Sequence, residues 1–147
     1  MAGRITLTII KPGAVAGEHI GRILHMINDA GFHIQAMKLT KLHRKQAETF
    51  YSVHASKSFF EDLIEFMNSG PVVAAILEKD NAVADYRKLM GATNPSEAED
   101  GTIRKMFAKS IQANAVHGSD SDENANIESD FFFSRSERYT VDGECCM

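Results

Sequence analysis

The chain has 147 residues, 44% of them hydrophobic and 24% charged, which suits one packed domain with its own core. A net charge of −4 argues against a nucleic-acid backbone or an anionic membrane as the main partner, since both call for clustered positive charge. No apolar run approaches the ~20 residues of a membrane-spanning helix, and MAGRITLTII lacks the basic start and long apolar stretch of a signal peptide. Cys145 and Cys146 are adjacent, so they form neither a disulfide framework nor a zinc site. Glu144 stands where a prenylation box needs its cysteine. Two exposed tail thiols in a reducing compartment, and hence a cytoplasmic protein, are the expectation.

RITLTII alternates Ile5, Leu7 and Ile9 with threonines and predicts a strand that ends at Lys11-Pro12-Gly13. Ile20, Ile23, Leu24 and Ile27 recur at helical spacing, and Gly31 closes that helix. In FHIQAMKLTKL, Ile34 and Ala36 share one parity while Met37 and Leu39 share the other, which predicts a strand with a bulge. Two helical stripes follow: Ala47, Phe50, Tyr51 and His54, then Phe60, Leu63, Ile64 and Met67, with Gly70-Pro71 ending the second. VVAAIL is apolar on both faces and predicts a central strand covered on both sides. NAVADYRKLMG reads as a short helix ending at Gly91. Between Thr93 and Ala115 the periodicity weakens into a long connection with a short helical piece at TIRKMF, and such connections often carry function. FFF at 131–133 supplies the expected last strand. The plan is a single α+β domain over residues 1–147, a small sheet covered by helices, with no internal repeat.

Asp120, Asp122, Asn124, Asn126 and Glu128 alternate like the ligands of a calcium loop. The required glycine and terminal glutamate are replaced by Ala125 and Phe131, which excludes that loop. Apart from His117 the histidines are scattered without metal-ligand spacing. Neither GxxxxGK[ST] nor GxGxxG occurs, so any bound phosphate would be held by side-chain cations and a metal. The candidate cations are Lys11, Arg87 and Arg104, each of which, taken singly, reads as a solvated surface charge.

The blocks TIIKPGAV, FYSVHASKSFF, SGPVVAAIL, YRKLMGATNP, GTIRKMFA and NAVHGSDS, in this order, resemble the nucleoside diphosphate kinase family over almost the whole chain. NAVHGSDS matches that family's active-site pattern N-x-x-H-G-S-D-[SA] at every position. The resemblance implies a ferredoxin-like βαββαβ sandwich, with a four-stranded antiparallel sheet covered by helices. It also implies magnesium-dependent, ping-pong exchange of the γ-phosphate between nucleotides such as ATP and GTP and their diphosphates. His117 would be the phosphorylated residue. Lys11, Arg87, Thr93 and Arg104 match phosphate-contacting positions, Asn114 and Lys11 those touching the sugar, and Phe59 the aromatic that stacks on the base. Tyr51, Ser119 and Glu128 match the shell that supports the histidine. A homo-oligomer is implied, hexamer or tetramer, although the stretch after Phe133 lacks the longer tail of some members.

The chemistry agrees with the resemblance. Imidazole, with an unperturbed pKa near ~6.5, is largely neutral and nucleophilic at pH 7. Its phosphorylated nitrogen keeps a high transfer potential, whereas a serine ester would trap the phosphate. A glutamate on the second ring nitrogen, here Glu128, would fix the tautomer, but the sequence leaves open which nitrogen attacks. Phosphoryl transfer needs positioning and charge neutralisation, and magnesium would be held mainly by the nucleotide's own phosphates rather than by protein ligands. Stacking on Phe59 predicts broad base tolerance.

Four positions depart from the family pattern. Gly13 replaces a common aspartate and Gly17 a common arginine, which reads as the loss of one structural ion pair. Val53 replaces an acid and Ser58 a proline at the nucleotide-binding edge. The competing reading is a catalytically inactive or regulatory protein-binding module on the same fold. A nucleic-acid binder lacks the basic aromatic platform it would need.

Overall fold

In the computed structural model, which describes residues 3–146, alternation along β1 (Ile5–Ile10) produces two buried faces. Thr6, Thr8 and Ile10 point one way, Leu7 and Ile9 the other, and all five are buried. β3 (Val72–Glu78) shows the same pattern, with Val72 to Leu77 all buried. At about 1.5–3 kcal/mol for each large aliphatic side chain withdrawn from water, these two strands anchor the fold. They pair antiparallel, with Leu7 opposite Ile76.

β2 (His33–Thr40) pairs with β3, and its register shifts between Ile34 and Ala36, where the change of parity predicted a bulge. β4 (Val116–Gly118) pairs with the other edge of β1, placing Ile9 opposite His117. The sheet order is β2-β3-β1-β4, antiparallel throughout.

One face carries Ile10, Val73, Ala75 and Leu77. It is covered by α1 (Pro12–Ala16), α2 (Ile20–Asp29), α5 (Ala82–Met90) and α6 (Ile103–Phe107) through Ala14, Ile23, Ile27, Tyr86, Met90 and Ile103. The opposite face carries Leu7, Ile9, Ala74 and Ile76. It is covered by α3 (Arg44–Phe50), α4 (Phe60–Met67) and α7 (Asp122–Phe132) through Ala47, Ile64, Met67 and Phe132. Among the described residues no helix is long and apolar enough to cross a membrane.

Two of the predicted elements need correction. Phe131–Phe133 do not form the last strand: Phe131 and Phe132 close α7, and the fourth strand is the Val116–Gly118 segment that carries His117. Three residues are too few to show a period, and α7 buries Ala125, Ser129 and Phe132, a face too polar to read as an apolar stripe. The acidic patch is therefore a helix start. Ser121 caps it by accepting from the Asn124 N–H at 3.0 Å, and Asp122 and Glu123 occupy the first turn, where the helix dipole favours negative charge. The stripe through His54 is interrupted as well, since α3 ends at Phe50 and a 3₁₀ turn spans Ser52–His54.

Candidate active site

His117 lies on an edge strand because Gly118 lets that strand approach α5. A Cβ at Gly118 would fall 2.6 Å from Met90 Cε and 2.9 Å from Tyr86 Cδ2. Val116 joins the core on the α5 side, so the imidazole of His117 projects to the opposite face, toward α3 and α7. There Nε2 lies 2.9 Å from Glu128 Oε1, and the two side chains are only 19% and 17% exposed. A carboxylate only accepts, so Nε2 is the N–H donor, and in the neutral ring Nδ1 keeps its lone pair. Ser119 Oγ donates to the same Oε1 at 2.7 Å and accepts from the Leu7 N–H at 3.1 Å, which ties Glu128 to the central sheet.

Aromatic edges enclose the imidazole. Phe50 lies 5.4 Å from it and Tyr51 6.2 Å, both close to perpendicular. Tyr51 is buried, and burial, with the Glu128 carboxylate nearby, raises its phenol well above the usual value and keeps it neutral. Phe50 was not foreseen as a site residue. Its helical spacing marked it as core, and nothing in the sequence brings it to His117.

The cations lie beside this group. Lys11 lies between β1 and α1, at the N-cap of the helix, and Arg104 belongs to α6. Both are 8% exposed, which corrects their reading as solvated charges; Arg87, on α5, is exposed as that reading has it. Lys11 Nζ donates to Asn114 Oδ1 at 2.8 Å, and Asn114 Nδ2 donates to the Thr93 carbonyl at 3.2 Å. Burial, reinforced by the charge of Arg104, lowers the Lys11 ammonium to about 8. Arg104 donates to three backbone carbonyls, Asn114 from Nε at 3.3 Å, Gly91 from Nη1 at 3.0 Å and Val116 from Nη2 at 2.9 Å. Burial lowers its guanidinium too.

These bonds hold a strained turn. Ala115 has φ +75°, and the Val116 N–H donates to the Asn114 carbonyl at 2.9 Å, the pattern of the rarer, strained γ-turn. The Lys11 N–H donates to the Ala115 carbonyl at 2.8 Å, so the neighbours enforce a conformation that alanine alone would avoid.

An open cavity of about 400 Å³ is lined by Arg87, Lys88, Gly91, Ala92, Glu97, Glu99 and Thr102. Gly91 joins this cavity to the Arg104 group. Phe59 stands apart, 48% exposed and in ring contact with His54 at 5.6 Å. The structure thus bonds His117, Glu128 and Ser119 together, and Lys11, Asn114, Thr93 and Arg104 together. Arg87 and Phe59 remain on the surface around them.

Comparison with known proteins gives the same family by independent routes. The family model described as nucleoside diphosphate kinase matches residues 4–138. A nucleoside diphosphate kinase of Flavobacterium psychrophilum is 58% identical over 139 residues, covering 95% of this chain and all of that protein. One of Chlamydia felis is 58% identical over 132 residues, covering 90% and 94%. Among solved structures, the Aquifex aeolicus nucleoside diphosphate kinase superposes with a TM-score of 0.90 at 40% identity, covering 92% of this chain and 98% of that one. The apo enzyme of Encephalitozoon cuniculi gives 0.90 at 35% identity, covering 95% of each chain. With a model matched across nearly its full length and relatives above half identity, this chain belongs to the nucleoside diphosphate kinase family of phosphotransferases.

Proposed function

We propose that this chain moves the terminal phosphate between nucleoside triphosphates and diphosphates by carrying it on Nδ1 of His117. The observation that supports this best is the 2.9 Å bond from Nε2 to Glu128, which commits one ring nitrogen and leaves the other's lone pair free. Nδ1 attacks the γ-phosphorus, a P–N bond forms, and the bond to the β-phosphate oxygen breaks, with its electron pair leaving on the diphosphate. A second diphosphate then attacks the phosphorus through a terminal oxygen, and the P–N bond breaks. The developing imidazolium is stabilised by Glu128, and Ser119 holds that carboxylate in place.

In this reading Lys11, Arg87, Arg104 and Thr93 neutralise and orient the phosphates, with Lys11 and Asn114 also meeting the sugar. Tyr51 supports the histidine by packing. Phe59, half exposed, stacks on the base, and a π-face common to all bases gives broad specificity. The donors here fit a magnesium ion brought in by the nucleotide. Glu128 Oε1 is already shared by His117 and Ser119, Lys11 and Arg104 are cations, and the hard oxygens the ion prefers would be those of the phosphates. Bound there, magnesium would offset charge on the β- and γ-phosphate oxygens.

The same proposal includes a cytoplasmic homo-oligomer, hexamer or tetramer. In its favour, β2 is an edge strand that exposes Met37 and Leu39, at 56% and 63%.

The test is to incubate the protein with γ-labelled MgATP and quench in base or in acid. Label that survives base and is lost in acid, is discharged by any of several diphosphates, and is absent from His117→Ala is the expected result. Equal labelling of His117→Ala would remove the histidine from the reaction.

A further inference from the structure

His117 is also held from behind, by residues that no part of the phosphate chemistry requires. Thr8 lies on β1 opposite Gly118 and is fully buried on the α5 face. Its Oγ1 donates to the backbone carbonyl of His117 at 2.9 Å and lies 2.6 Å from the Tyr86 hydroxyl. A threonine hydroxyl has one hydrogen. Because that hydrogen goes to the His117 carbonyl, Tyr86 must donate to Thr8. The chain of bonds runs in one direction, from the Tyr86 hydroxyl through Thr8 to the peptide of the nucleophile.

Tyr86 is itself immobilised. It is fully buried on α5, its ring meets Phe32 edge-on at 5.7 Å, and it lies against Gly118. The next residue on the same helix is Arg87, a wall of the open cavity.

We propose that Tyr86 and Thr8 are positioning residues, which fix the strand of His117 against the helix of Arg87 and so set the distance between nucleophile and phosphate clamp. The inference rests on the phosphohistidine reading above. Two groups that must meet one phosphorus from different elements need their separation set to a fraction of an ångström, because in-line attack loses rate steeply with misplacement. Side chains at the site fix the imidazole's rotation; the Tyr86–Thr8 pair fixes its backbone. A hydroxyl pair in an otherwise apolar layer is an expensive way to fill space, and threonine and tyrosine have apolar replacements of nearly the same shape.

The experiment uses the whole protein and measures the single-turnover rate of His117 phosphorylation across MgATP concentrations, with thermal unfolding alongside. Thr8→Val and Tyr86→Phe should each lower the saturating rate by about tenfold while the half-saturating MgATP stays within about twofold. Thr8→Ser, which keeps the hydroxyl, should restore the rate whatever it does to Tm. The double variant should be no slower than the slower single one, since both break one chain. A saturating rate within about twofold of wild type in folded Tyr86→Phe overturns the proposal, and so does a Thr8→Ser variant as slow as Thr8→Val. Should Thr8→Val not fold, Tyr86→Phe still decides. Wild type that takes up no acid-labile phosphate removes the parent reading and this inference together; normal labelling with equally fast variants removes the inference alone.

Discussion

The ammonium of Lys11 has a neutral partner, the side-chain oxygen of Asn114, 2.8 Å away in a buried setting beside the positive charge of Arg104. The folded protein thus keeps a cation where burial disfavours it, which explains its fall to about 8 from the 10.5 of an unburied lysine. The unfolded chain holds this proton more tightly than the native one does. The cost to the fold is therefore present in full below about pH 8 and is relieved as pH rises from there toward 10.5. Lys11→Met removes that titration. Between pH 7 and 9.5, denaturant melts of the nucleotide-free proteins should show wild type gaining about 2 kcal/mol relative to Lys11→Met, at 1.36 kcal/mol per pH unit above the folded value. A gap between the two that does not move with pH would mean that Lys11 is not strained by its burial. MgATP should erase the effect, because phosphate gives the ammonium its counter-charge.

Phe59→Ala should weaken nucleotide binding by roughly 1–3 kcal/mol, the scale of one base–aromatic stack, and to a similar extent for purines and pyrimidines. With its side chain half exposed, Phe59 contributes little to the core, so Tm should hardly change. Calorimetric titration with ADP and CDP beside a thermal melt distinguishes stacking from packing. A large fall in Tm with unchanged affinity would reassign Phe59 to the core.

Arg104 and Arg87 should separate in the opposite sense. Arg104→Ala deprives the carbonyls of Gly91, Asn114 and Val116 of their donor and should cost about 3 kcal/mol of stability. It should also depress the phosphorylation rate at saturation more than it raises the dissociation constant, because charge near the transferring phosphate grows toward the transition state. Exposed Arg87 should leave stability within about 0.5 kcal/mol when changed to alanine, yet weaken both affinity and rate. Rapid-quench labelling titrated with MgATP, together with urea melts, measures both quantities. If Arg104→Ala melts like wild type, its three carbonyl bonds are not holding the turn at Ala115.

The parts of this molecule legible in the sequence are those where side-chain period and burial coincide. β1 and β3 show alternation and an unbroken apolar run because each has two covered faces, and α2 and α4 show clean stripes because each packs one face. The bulge in β2 could be read from its parity change alone. α7 escaped because its inner face carries Ala125, Ser129 and the half-buried Glu128, whose place is decided by His117 and Ser119 rather than by hydrophobicity. β4 escaped because three residues have no period. His117 was found through the pattern around it, whereas Phe50, Thr8 and Tyr86 are linked to it through contacts between segments far apart in the chain, which no local pattern records. The burial of Lys11 and Arg104 was hidden for the same reason: both are enclosed by the turn at Asn114–Val116.

The side-chain hydrogen bonds that tie β1 and Lys11 to the segment around His117 span most of the sequence. Lys11 and Asn114 are 103 positions apart, Thr8 and His117 109, and Leu7 and Ser119 112. Contacts of such span close very long loops, and they form only after the entropy cost of closure has been met. A chain that stops before Val116 contains β1, β2 and β3 and the helices between them but lacks both His117 and Glu128. In the reading proposed above, chemical competence therefore waits for β4 and α7, which bring His117 and Glu128 together.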